Sequence, residues 1–119
     1  MLVAFSVAPS GTPADGTVVD TIGRSDSVSA AVADAVRVVR ESGLPNRTDA
    51  MFTTIEGDWD ACLDVVRRAC EAVGRHGSRV SLVLKADIRP GYSGELDAKV
   101  ERVEAALVEA APRDPDPNR

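Results

Sequence analysis

Phe52-Thr53-Thr54-Ile55-Glu56-Gly57-Asp58-Trp59-Asp60 holds a strand, its exit and a helix start within nine residues. Phe52 to Ile55 are aromatic or β-branched, and such side chains suit a pleated strand. Gly57 lets the backbone leave that strand through conformations other residues resist. Asp58 is placed to accept from the free N–H groups of the following helix, and Asp60 adds favourable charge in its first turn. Trp59 is expected to fold its ring back onto the core. Glu56 stands apart from this architecture, as a carboxylate ending an otherwise apolar or hydroxyl-bearing strand.

Working outward from there, a helix is expected from Trp59 to about Arg75. Cys62, Leu63, Val66, Ala69, Cys70 and Val73 form its apolar stripe, and Arg67, Arg68, Glu71 and Arg75 its solvated face. His76 stands at the helix end, where a cap or surface role suits it, and Gly77 stops the helix. Arg79 to Arg89 alternates as a strand, with Val80, Leu82, Leu84, Ala86 and Ile88 expected to face the helices. After the turn Pro90 to Gly94, a last helix starts near Glu95, with Leu96, Val100, Val103 and Leu107 as its stripe, and Pro112 ends it.

On the N-terminal side, Leu2 to Ala8 is an apolar run broken only by Ser6, which predicts a central strand ended by Pro9. A helix capped by Ser27 or Ser29 runs to about Ser42, with Val28, Val32, Ala35, Val36 and Val39 on one face. Gly43 is a natural stop. Asn46 to Ala50 reads as a polar edge strand and Met51 to Glu56 as its better partner, with the turn near Asp49-Ala50. The order βαββαβ plus a C-terminal helix is the ferredoxin-like pattern, an α+β sandwich of two split βαβ halves. One domain over 1–111 is expected, with residues 10–26 as an inserted loop and 112–119 as a disordered C-terminal tail.

Composition narrows the function classes. The chain has 119 residues, 44% of them hydrophobic, which allows one modest core. Phe5, Phe52, Trp59 and Tyr92 are the only aromatic residues, so the core rests on Val, Leu, Ile and Ala. A net charge of −5 argues against nucleic acid or an anionic membrane as the main partner. The Lys-poor, acidic balance fits a salty cytoplasm and a biased genome equally. Cys62 and Cys70 lie about 12 Å apart along one helix, too far for a disulfide, and neither has ligand-spaced neighbours for a metal. With no signal-peptide pattern and no long apolar run, a cytoplasmic location is expected.

Several short motifs in order carry a resemblance. Ile55-Glu56-Gly57-Asp58-Trp59-Asp60 is joined by Phe5-Ser6-Val7-Ala8-Pro9, Glu41-Ser42-Gly43-Leu44 and Lys85-Ala86-Asp87-Ile88-Arg89. Over residues 1–108 the chain resembles the small thiamine-binding-protein family related to YkoF and MTH1187. Gly11 to Ser25 departs from the family pattern as an insertion. The resemblance implies non-catalytic binding of thiamine or its hydroxymethylpyrimidine moiety by an oligomer, with no required cofactor.

The residues themselves leave function more open. With two helices on one sheet face, alternation puts Met51, Thr53 and Ile55 inward and sends Phe52, Thr54 and Glu56 to the other face. Ala4, Ser6, Ala8, Val83, Lys85 and Asp87 join them there. That open face is too apolar to stay wet, so sheet-to-sheet packing in a homo-oligomer, a dimer or tetramer, is expected. A mixed face of this kind also suits a cationic heteroaromatic ligand. Glu56, Thr54 and Ser6 are the candidate ligand-binding residues, with Thr53 and Met51 as alternatives if the pocket lies between sheet and helices. A purely structural reading pairs Glu56 with Lys85 or with an Arg at a subunit contact. Catalytic, phosphate-loop and metal-cluster templates are absent. Two other classes stay open, a dimeric ferredoxin-like α/β-barrel enzyme and a structural or regulatory oligomer without a small ligand.

Overall fold

The computed structural model describes the backbone of residues 1–12 and 24–110, and the side chains of 1–12 and 28–110. Four strands form one antiparallel sheet: β1 (Leu2–Ser10), β2 (Asn46–Thr48), β3 (Thr53–Glu56) and β4 (Arg79–Asp87). Their order is β2-β3-β1-β4. The helices are α1 (Arg24–Glu41), α2 (Trp59–Val73) and α3 (Glu95–Ala110), and a 3-10 turn, Gly74–His76, extends α2. This is the expected ferredoxin-like α+β arrangement with an added C-terminal helix. The inserted loop falls largely, and the tail entirely, outside the described residues.

Register fixes which residues share a face, because directly opposed side chains project to the same side. Val3 lies opposite Ile55 and Ala86, and Phe5 opposite Thr53 and Leu84. These rows meet α1 and α2, where Val3, Phe5 and Ile55 are buried with Ala31, Ala35, Val39, Cys62, Val65, Val66, Ala69 and Val73. The other face carries the rows Arg47-Thr54-Ala4-Lys85 and Glu56-Leu2-Asp87, followed by Ser6 beside Val83.

Several expectations need correction. β1 runs through Pro9 to Ser10, because among the described residues it pairs beyond Phe5 only with β4, and the missing proline N–H faces no described partner strand. β2 and β3 are shorter than expected, since Asp49 to Phe52 forms the turn. Met51 is therefore not an inward strand residue but is 74% exposed, and Phe52 is half-buried in the turn. Trp59 stays 52% exposed instead of folding onto the core. On α1 the buried stripe is Ala31, Ala35 and Val39, and Val28 and Val32 remain exposed. On α2, Val65 and Ala72 are buried where Leu63 was expected, and Leu63 is exposed. Val80, Leu82 and Leu84 face the helix side, yet β4 is an edge strand that the helices leave partly uncovered.

Two ends of elements are fixed by local chemistry. Asp58 Oδ1 accepts from Ala61 N at 2.8 Å, so the cap expected for α2 is present. Gly77 is buried where the chain enters β4, and a Cβ there would meet the Ser10 carbonyl oxygen at 2.5 Å. Only a residue without a side chain permits that approach.

Candidate functional site

A cleft of about 270 Å³ opens where the short β2–β3 hairpin stops covering β1. One wall is β1 from Phe5 to Ala8, another is the hairpin turn from Thr48 to Thr53, and the third is the Val28, Val32 and Val36 side of α1. The cleft exists because β1 outruns β3: Phe5 pairs with Thr53, and among the described residues no strand lies beside Ser6 to Ser10 on that edge. The three valines of α1 rotated away from the core thus gain a place as cleft lining rather than as packing.

Polar groups in the cleft are few and held. Thr48 Oγ1 and Thr53 Oγ1 lie 3.2 Å apart across the hairpin and share a hydrogen bond. Asp49 Oδ1 accepts from the amides of Met51 and Phe52, each at 2.9 Å, closing an Asx turn. The Phe52 and Met51 N–H groups hold its carboxyl below the usual carboxylate range. An ionised carboxylate, two hydroxyls and an apolar floor therefore face one space. Such a lining can take a flat, partly cationic ring with hydrogen-bonding edge groups.

The expected site residues divide. Met51 and Thr53 line the cleft, and Ser6 borders it on β1 while its side chain projects to the opposite sheet face beside Val83. Thr54 lies on the opposite sheet face, in the row with Arg47, Ala4 and Lys85. Glu56 is also on that face and is only 8% exposed. Its carboxylate accepts from the amides of Glu95 at 2.9 Å and Leu96 at 3.4 Å, at the start of α3. Burial of a carboxylate is tolerable here because backbone donors and the positive end of a helix satisfy it. The Lys85 pair expected for Glu56 is not present among the described residues, and Asp87 pairs instead with Lys99. Asp49 and Thr48 are the cleft residues that sequence reasoning missed. The Asp-Ala-Met-Phe spacing of an Asx turn was the available signal, but it marks a turn without showing what the turn borders.

Residues 3–104 match the family described as thiamine-binding protein. The chain belongs to that family. It is 48% identical over 109 residues to UPF0045 protein Mb1933 of Mycobacterium bovis, covering 91% of this chain and 95% of the relative. Among solved structures it is similar to a domain of unknown function, DUF77, from Bacillus cereus, at 33% identity and TM-score 0.67, covering 85% and 86% of the two chains. The candidate thiamine biosynthesis/salvage protein TM0486 of Thermotoga maritima shares the fold at 19% identity and TM-score 0.62, over 85% of this chain and 97% of the other. Membership supports a small-molecule binding role for this thiamine-binding family protein. Among its described residues no helix is long and apolar enough to cross a membrane, and no group of His, Cys, Asp and Glu is placed to hold a metal ion.

Proposed function

We propose that this protein binds thiamine or its hydroxymethylpyrimidine moiety without catalysis, as a cytoplasmic homo-oligomer, and that the cleft between α1 and the β2–β3 hairpin receives the ligand. The cleft's lining carries the reading. Its volume of about 270 Å³ lies just below the usual range of ligand pockets, roughly 300 to 1,000 Å³, and this favours a single substituted ring over a large coenzyme. Thr48 and Thr53 offer hydroxyls to ring nitrogens and an exocyclic amine. Asp49 offsets the positive charge of a thiazolium. Phe5, Val32, Val36 and Met51 exclude water around the ring. The family's thiamine binding supports the ligand class.

Calorimetric titration with thiamine, its phosphates and hydroxymethylpyrimidine tests this. Saturable binding of thiamine or the pyrimidine alcohol is expected. Asp49→Asn should weaken thiamine roughly three- to tenfold, between an exposed ion pair and a charge-assisted hydrogen bond, and weaken the uncharged pyrimidine less. Glu56→Gln should leave affinity unchanged, because Glu56 lies outside the cleft. No binding by any of these compounds overturns the ligand. Binding that is indifferent to Asp49 but lost with Glu56→Gln moves the site to the other sheet face.

A further inference from the structure

We propose that the outward stripe of α3 docks on the open sheet face of a second copy of this chain. This deepens the homo-oligomer reading above and rests on it. The root of α3 is fixed to its own sheet. Glu56 accepts from its first two amides, Arg47 pairs with Asp97 at 2.7 Å, and Lys99 pairs with Asp87. Past that root the helix leaves the sheet. Leu96 is half-buried, but Val100, Val103 and Leu107, on the same side of the helix, are 48%, 59% and 60% exposed. An anchored helix that presents a row of large apolar groups to water lacks its partner surface.

The open sheet face is a matching surface. α1 and α2 cover only the other side, and Val83, at 56% exposure, stands there beside Ser6, Ala8 and Ser81. The lengths agree: sixteen helical residues span about 24 Å and nine strand residues about 30 Å.

Charge selects this occupant over helix-on-helix pairing. Lys85 and Arg79 project from the open face, and neither is ion-paired among the described residues. Glu104 flanks the α3 stripe, with Glu101 further round the helix, and both are unpaired among the described residues. Its basic neighbours Lys99 and Arg102 are already engaged, with Asp87 and Glu95. Two α3 stripes laid together would bring acid to acid, whereas α3 on the sheet sets an unpaired acidic flank against a face whose unpaired charges, Lys85 and Arg79, are basic.

Single-cysteine chains test the proposal, in a Cys70→Ser background with Cys62 left buried. Val100→Cys, Val103→Cys and Leu107→Cys on α3 are each mixed with Ser81→Cys or Val83→Cys on the sheet and oxidised, while light scattering follows the oligomer. At least one helix–sheet pair should give a disulfide-linked dimer in high yield, and Val103→Asp should loosen the oligomer at least tenfold with helicity retained. Self-linked Val103→Cys chains without helix–sheet linkage show α3–α3 pairing and overturn the proposal. Self-linked Val83→Cys chains show direct sheet-to-sheet packing and overturn it too. An intact oligomer with none of these links removes the docking of α3 and leaves the oligomer standing. A monomer at micromolar concentration overturns both readings.

Discussion

Thr53 shows how little a residue's type says about its use. It is 9% exposed, opposite Phe5 in the sheet, and its hydroxyl bonds Thr48 at the rim of the cleft. Thr53→Val keeps the shape and removes one hydroxyl of the pair. Because Thr48 is exposed and regains water, the stability cost should stay near 1 kcal/mol in a urea titration. Affinity for the pyrimidine should fall about fivefold or more in calorimetry if that hydroxyl meets the ring. Alternation along Thr53 to Glu56 was enough to place Thr53 inward and Thr54 and Glu56 outward, because a strand has period two. It could not place Met51 or Phe52, since one aspartate, Asp49, captures two amides and turns the chain before the strand begins. Glu56 was legible as a carboxylate that needs a partner. That its partner is a helix start thirty-nine residues away was not, because no local pattern encodes which amides a distant helix brings.

At the scale of elements, α3 depends on a cap supplied from another strand. Glu56→Ala removes the acceptor for the Glu95 and Leu96 amides, and loss of a helix N-cap costs roughly 0.5–2 kcal/mol. Hydrogen exchange should speed up at those two amides while α2, capped by its own Asp58, is unchanged. Glu56→Gln, which keeps an oxygen acceptor, should show a smaller effect. The junction between the 3-10 turn and β4 gives a second case. Gly77→Ala would drive a methyl group into the Ser10 backbone, and overpacking of this kind costs about 1–3 kcal/mol. The urea midpoint should drop accordingly, and an unchanged midpoint would mean that the 3-10 turn shifts without cost. Helix periodicity identified α1, α2 and α3 but misjudged their buried arcs. α2 lies against both the sheet and α1, so its buried arc widens to include Val65 and Ala72. α1 turns Ala31 and Ala35 inward because small residues let it approach closely, and its valines are left for the cleft.

Across the whole molecule, ion pairs within and between elements set how the fold responds to acid. His76 Nε2 lies 2.6 Å from Asp34 Oδ2, linking the end of the 3-10 turn to α1, and Asp34 also accepts from Arg37. Asp87 meets Lys99 between β4 and α3, and Asp64 meets Arg67 and Arg68 along α2. The carboxyls of Asp34, Asp64 and Asp87 are all held below their ordinary range, by the His76, Arg67 and Lys99 hydrogen bonds respectively. A depressed folded-state pKa stabilises the fold above the unfolded value, and that stabilisation is lost as pH falls through the folded one. Between these values the unfolded chain binds more protons, so stability must decline with acid below about pH 4. All three carboxyls are solvent-accessible, so each contributes a shallow slope and salt should flatten it further. Urea midpoints measured from pH 5 to pH 2 should therefore fall steadily in the wild type. Asp34→Asn cannot bind a proton there. It should start from a lower midpoint at pH 5, and its curve should converge on the wild-type curve as the pH drops. Parallel curves, with the gap held constant to the lowest pH, would show that Asp34 stabilises the junction by hydrogen bonding alone and that its charge has no part in it.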